Sequence, residues 1–272
     1  MPRFFDRISS LIDVAYIAAN VRPIVFGLGR VGGWFITLAA LHGVRWFRTV
    51  DADWTSEENY ASGVPESDMG IPKLEQTARS LARISPRISF DGMVSSLTAE
   101  QPLSDRLIEW VASATHAVLA IDSFAVTTAL ARALYPRIPS FYAGLQDSGR
   151  TGLIAWSHPG RTPCLDCTAG LSRLQGESGG QTLCVDVTTT VNFAFQQFLG
   201  VVLEDRLGGE EFAAFADPSY CLGYVANRPG GSIPMSEDRR DLPAGVRLVR
   251  VIDDDGIGPS CDVCRGYGPR GG

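Results

Sequence analysis

Short apolar runs alternate with amphipathic ones through the first half of the chain. PIVFG at 23–27 predicts a buried strand. The apolar residues of WFITLAALHGV suit a helix, and Gly43 is a natural end for it. RWFRTVDAD predicts a strand ending in Asp51 and Asp53. KLEQTARSLARI has helical period from Lys73 until Pro86 stops it. ISFDGMVSSL and HAVLAIDSF read as strands, LSDRLIEWVASA and AVTTALARALY as helices, and residues 139–144 as a further strand and turn. Strands alternating with helices predict an α/β, Rossmann-like architecture: a mostly parallel sheet with helices on both faces.

The pattern changes after Cys167. Residues 168–182 are rich in glycine and polar residues, as a crossover loop would be. Val187, Val191, Ala194, Phe195, Phe198 and Val202 then fall on one face of a long helix. CLGYVA and VRLVRVI predict two short strands on either side of a turn-rich segment. Residues 1–22 read as a helix belonging to the fold, because Asp6 and Asp13 stand where a signal peptide would be apolar.

Composition narrows the function classes. The net charge is -6, with no basic run, which argues against nucleic acid as a partner. VNFAFQQFLGVVL carries Asn192, Gln196 and Gln197 and is too short to span a membrane, so a cytoplasmic protein is expected.

Two constellations carry chemistry. VFGLGRVGGW places Gly27, Gly29 and Gly32 in a G-x-G-x-x-G loop between a strand and a helix, with an acid about twenty residues further on. Such a loop lets backbone N–H groups approach a phosphate, either of a dinucleotide such as NAD or of ATP. The second is a pair of C-x-x-C motifs, Cys164/Cys167 and Cys261/Cys264. Four thiolates in two turns can enclose a tetrahedral zinc and pin the tail to the domain; a redox dithiol beside a chance pair is the alternative. Cys184 precedes the long helix, and Cys221 reads as a core residue. His42 and His158 have no triad partner.

Together with the segments EENY…MGIPKLEQTARSLARISPRI, VLAIDS and HPGRTPCLDC…SCDVC, the glycine loop resembles the ThiF/MoeB family of ubiquitin-activating-enzyme-like adenylyltransferases. That resemblance implies one adenylation domain over 1–272, divided into an N-terminal helix (1–22), a nucleotide-binding half (23–160) and a zinc-bearing half (161–272). It implies ATP, Mg²⁺ and Zn²⁺. It also implies a partner with a C-terminal glycine (a small ubiquitin-like or sulfur-carrier protein), a homodimer, and a possible hand-off to a conjugating enzyme. By the same resemblance Lys73 and Asn59 contact phosphates, Asp51 or, preferably, Asp53 holds the ribose, Asp122 holds Mg²⁺, and Cys184 takes up the acyl group as a thioester.

The chain departs from the family pattern in two places. Asn59 is followed by Tyr60-Ala61-Ser62-Gly63 where an Arg-Gln pair is usual, and Ser123 and Thr127 replace an Asn and an Arg. Arg30, Arg3 and Arg7 are the candidates to replace the missing phosphate-binding arginine. A non-catalytic binding subunit is the second reading and an NAD-dependent oxidoreductase the third. The long polar loop 54–72 favours a specialised bacterial conjugation or defence system.

Overall fold

The computed structural model describes residues 7–57, 59, 64–173, 182–229, 239–241, 245–251 and 261–264. The described strands form one sheet of nine in the order β3-β2-β1-β4-β5-β6-β7-β9-β8. In chain order they are β1 Pro23–Phe26, β2 Trp46–Val50, β3 Ser89–Met93, β4 His116–Leu119, β5 Ser140–Gln146, β6 Thr151–Ser157, β7 Leu222–Ala226, β8 Arg239–Asp241 and β9 Val246–Val249. The helices are α1 Val14–Asn20, α2 Arg30–Leu41, α3 Lys73–Ile84, α4 Asp105–Ala112, α5 Phe124–Leu134, α6 Leu165–Ala169, α7 Cys184–Val202 and α8 Gly209–Ala216.

The first five strands pair in parallel, as their helical connections require. From β5 onward the pairing is antiparallel, because β5 and β6 are joined by a tight turn at 147–150. β6 is buried at every position, and the apolar pattern of the sequence does not single it out. The N-terminal helix starts later than the sequence suggests: Asp13 accepts a hydrogen bond from Tyr16 N (2.9 Å) and caps α1 there.

Alternate strand residues face opposite layers. Val25, Val118 and Phe141 pack with α2, α3 and α7 through Phe35, Leu74, Leu81, Phe195 and Phe198. Ile24, Phe26, Ala117 and Leu119 face α4 and α5 through Leu107, Val111, Leu130 and Leu134. Both faces are covered, which explains the near-continuous apolar runs of β1 and β4. No described helix is long and apolar enough to cross a membrane.

His116, at the start of β4, lies between the rings of Phe141 and Phe198, with centroids 6.0 and 5.4 Å away. Burial, with a smaller contribution from His158, lowers its pKa from 6.5 to about 4. The folded state therefore holds it neutral, and the unfolded state takes up a proton first as pH falls. Its contribution is present in full above about pH 6.5 and is lost on the way down to pH 4. It amounts to about 3 kcal/mol if each pKa unit is worth about 1.4 kcal/mol. Urea titrations from pH 7.5 to 4.5 should show His116→Phe losing less stability than the wild type; parallel profiles would discount the effect.

Candidate functional site

Strand order reverses between β1 and β4, since β2 and β3 lie on one side of β1 while β4 and β5 lie on the other. Ligands of open α/β sheets bind in the crevice at such a switch point, outside the strand carboxyl ends. A cavity of about 330 Å³ lies there, lined by Gly27, Gly29, Asp53, Lys73, Asp122 and neighbouring residues.

The glycine loop forms its floor. Gly27 has φ +92°, and a Cβ on it would stand 2.4 Å from Ala120 O. A Cβ on Gly32 would stand 1.9 Å from Gly27 O, so α2 can pack under the loop only with glycine there. Gly29 is different: nothing lies within 4 Å of a Cβ built on it, and it starts α2 on the open side. Gly32→Ala is therefore expected to lower the melting temperature and abolish nucleotide binding, at a cost of about 3 kcal/mol of backbone strain. Gly29→Ala should leave the melting temperature intact and weaken binding alone. Thermal unfolding and calorimetry with ATP check the pair, and equal melting temperatures would refute it.

The two acids after β2 separate cleanly. Asp51 is buried and both its oxygens are engaged: Leu28 N donates to one (2.6 Å) and Asp53 N to the other (2.7 Å). It holds the glycine loop to the end of β2. Asp53 is open to solvent (side chain 70% exposed) and pairs with Lys73 at 2.8 Å. Lys73 is the first residue of α3, and its backbone N donates to Asp53 O (3.0 Å), so one short contact fixes both ends of the pair. An ammonium group has two further hydrogens to offer a phosphate, and the second Asp53 oxygen remains for a sugar hydroxyl.

Asp122 follows β4 and is exposed at the cavity wall. The cap of α5 belongs to the next residue: Ser123 Oγ accepts from Val126 N (3.4 Å). Behind Asp122 lies Tyr142, whose phenol is held protonated by burial and then by the Asp122 charge. Its hydroxyl is buried and has no hydrogen-bond partner among the described residues.

Asn59, Arg30 and Cys184 lie outside this lining. Asn59 is buried and accepts from Ser56 N at 2.8 Å. It lines a second cavity of about 300 Å³, between α2 and α3, which meets the first at Gly29. Arg30 donates from its guanidinium to Thr182 O (3.0 Å), in the lead-in to α7. Cys184 is the first residue of α7, partly exposed between exposed Leu183 and Val185. Arg7 is exposed in the N-terminal turn; Arg3 and residues 60–63 lie outside the described residues.

The four C-x-x-C sulfurs converge. Cys164 and Cys261 are 3.7 Å apart, Cys261 and Cys264 3.8 Å, and Cys264 and Cys167 3.7 Å, with all four sulfurs within 4.8 Å of one another. Four thiolates about 2.3 Å from a tetrahedral zinc would be about 3.8 Å apart, so the donor set and its spacing fit that ion. All six cysteines are free thiols. Tyr135 packs on the cluster, and Arg132 pairs with Asp166, which lies between the first two ligands, at 2.6 Å. Cys221 is fully buried, and burial pushes its thiol up to about 12, as a core residue requires.

The motifs miss Ser95, Ser96 and Leu97, which line the cavity from the loop after β3. The sequence pattern places them inside a strand running to Leu97, whereas β3 ends at Met93 and leaves them in the loop.

Comparison with known proteins agrees with the geometry. Among curated proteins none matches the sequence significantly. Among solved structures, E. coli MccB with ATP superposes with a TM-score of 0.65 at 15% identity, covering 92% of this chain and 68% of that one. The microcin C7 biosynthetic enzyme MccB in complex with N-formylated MccA gives 0.64 at 15% identity, over 92% and 69% of the chains. PaaA gives 0.63 at 13% identity, over 84% and 79%. These likenesses establish the shared fold. The ThiF family profile matches residues 16–204, more than half of the sequence, and the chain belongs to the ThiF family.

Proposed function

We propose that this chain binds ATP in the switch-point cavity and adenylates the C-terminal carboxylate of a small protein or peptide. The observation that carries the reading is the convergence of the glycine loop, the Asp53–Lys73 pair and Asp122 on one cavity. An NAD-dependent oxidoreductase would leave both Lys73 and Asp122 without a task.

The reaction joins two anions. A carboxylate oxygen of the substrate attacks the α-phosphorus, the bond from that phosphorus to its bridging oxygen breaks, and pyrophosphate leaves with the electron pair. Lys73 offsets charge on the phosphates, and the first-turn amides of α2 add their partial positive charge. Asp53 orients the ribose through its hydroxyls. Asp122 would hold magnesium, which when bound would shield the leaving pyrophosphate.

A substrate ending in glycine, ubiquitin-like or sulfur-carrying, is the class implied by the family resemblance. One of the similar MccB structures is a complex with N-formylated MccA, and we keep the class open to partners other than a ubiquitin-like protein. The thiol of Cys184, at the start of α7, would receive the acyl group from the adenylate, releasing AMP and leaving a thioester. A homodimer supplying an N-terminal arginine, with zinc in the four-cysteine site, completes the reading.

ATP–pyrophosphate exchange tests it. Exchange should appear with a glycine-ended carrier or peptide and vanish when the same tail is amidated. Exchange that is indifferent to amidation would sink the proposal. The non-catalytic reading is favoured by the absent Arg-Gln pair and requires partner binding with no exchange at all.

A further inference from the structure

We infer that Arg30 is a positioning residue: it couples occupancy of the glycine loop to the placement of the segment that carries Cys184. The inference rests on the nucleotide reading above.

Arg30 is the first residue of α2, directly after Gly29, in the turn whose amides would face phosphate. Its guanidinium donates to Thr182 O at 3.0 Å, across 152 residues of sequence. Two residues beyond Thr182 stands Cys184. A residue without a long side-chain donor at position 30 would leave this contact unmade.

The far side of the same segment is clamped independently. Asp186 is almost completely buried, accepts from Leu183 N (3.1 Å) and pairs with Arg228 at 3.1 Å. Arg228 also donates to Ser148 O in the β5–β6 turn. Gly149 of that turn packs so closely that a Cβ there would stand 2.8 Å from both Asp186 Oδ2 and Thr182 Cγ2. The segment 182–186 is thus held by the sheet turn on one side and by the glycine loop on the other.

The clamp is incomplete. Thr182 Oγ1, Asp186 Oδ1 and Arg228 Nε are buried and have no hydrogen-bond partner among the described residues. Native interiors pair nearly all such groups, so the segment has unused hydrogen-bonding capacity at this junction and a reason to settle into a second arrangement. Phosphate at the first turn of α2 fixes Arg30's backbone, and Arg30 passes that restraint to Thr182.

Hydrogen exchange on the full chain tests the coupling, with and without a non-hydrolysable ATP analogue. In the wild type the analogue should slow exchange of the 183–187 amides roughly tenfold, which one charge-assisted hydrogen bond can command. Arg30→Met should remove that slowing while binding the analogue with near wild-type affinity, and Arg30→Lys should restore part of it. Arg30→Gln, shorter and neutral, gives the same reading should the methionine variant not fold. Protection in Arg30→Met equal to the wild type overturns the coupling. So does weakened analogue binding rescued by lysine, which would put Arg30 on the phosphates. A wild-type chain that binds no analogue overturns the nucleotide reading and the coupling with it; one that binds it without slowing the 183–187 amides overturns the coupling alone.

Discussion

Asp122→Ala is expected to lower pyrophosphate exchange by at least about a thousandfold, while the melting temperature stays within a few degrees of wild type. The two halves of this expectation come from different observations. Asp122 lies exposed on the cavity wall with Lys73 and the glycine loop, where the proposed reaction would release pyrophosphate. It does not cap α5, because Ser123 Oγ does so, and removing it therefore costs no helix cap. Asp122→Asn separates charge from shape: it keeps the volume and hydrogen-bonding capacity, loses the negative charge, and should be nearly as inactive as alanine. Asp51→Ala makes the contrasting case. That carboxylate holds Leu28 N and Asp53 N, so its loss should lower stability and nucleotide affinity together. If Asp122→Ala retained exchange, the metal-holding assignment would fail, whatever the fate of the nucleotide site.

The contrast between Asp51 and Asp53 also shows what the sequence could and could not deliver. Spacing from the glycine loop offers both acids, since only Ala52 separates them. Only the fold shows that one is consumed by the loop's own amides and the other faces solvent beside Lys73. Elements with a strong local period were legible: α3 begins and ends on the residues that its pattern indicates, and β1 and β2 follow their apolar runs. β6 was not, although it is as buried as β1: TGLIAWS opens on Thr151-Gly152 and closes on Ser157, which leave a shorter apolar run than its burial would suggest. Arg30 was legible as an oddity within a glycine loop but not as a tether, since its partner carbonyl lies 152 residues away. Ser95 and Ser96 reach the cavity only because β3 lies beside β2, a fact of strand order that no local pattern contains.

The four-cysteine cluster gives the second large expected effect. If zinc fills the site as proposed, stripping it should lower the melting temperature by about 10–20 °C. Structural zinc contributes on the order of 10 kcal/mol to folding of small zinc peptides, and a fraction of that, about 5 kcal/mol, is reasonable where a large sheet core persists. At about 2–4 °C per kcal/mol for a domain of this size, the shift follows. The loss is local in origin. Cys261 and Cys264 are joined to α6 through the sulfurs of Cys164 and Cys167, and with the ion gone four thiols remain packed against Tyr135 with nothing to hold them together. Cys164→Ser and Cys261→Ser should therefore be equally damaging and not additive, because each removes the same ion. Zinc content measured on the purified chain and on both variants, alongside thermal unfolding, checks this. A redox dithiol at Cys164 and Cys167 predicts something else: sensitivity to oxidant at that pair, and a silent Cys261→Ser. The sulfur spacings of 3.7 Å across the two motifs favour the ion, since a dithiol working alone has no need of the second pair at tetrahedral distance.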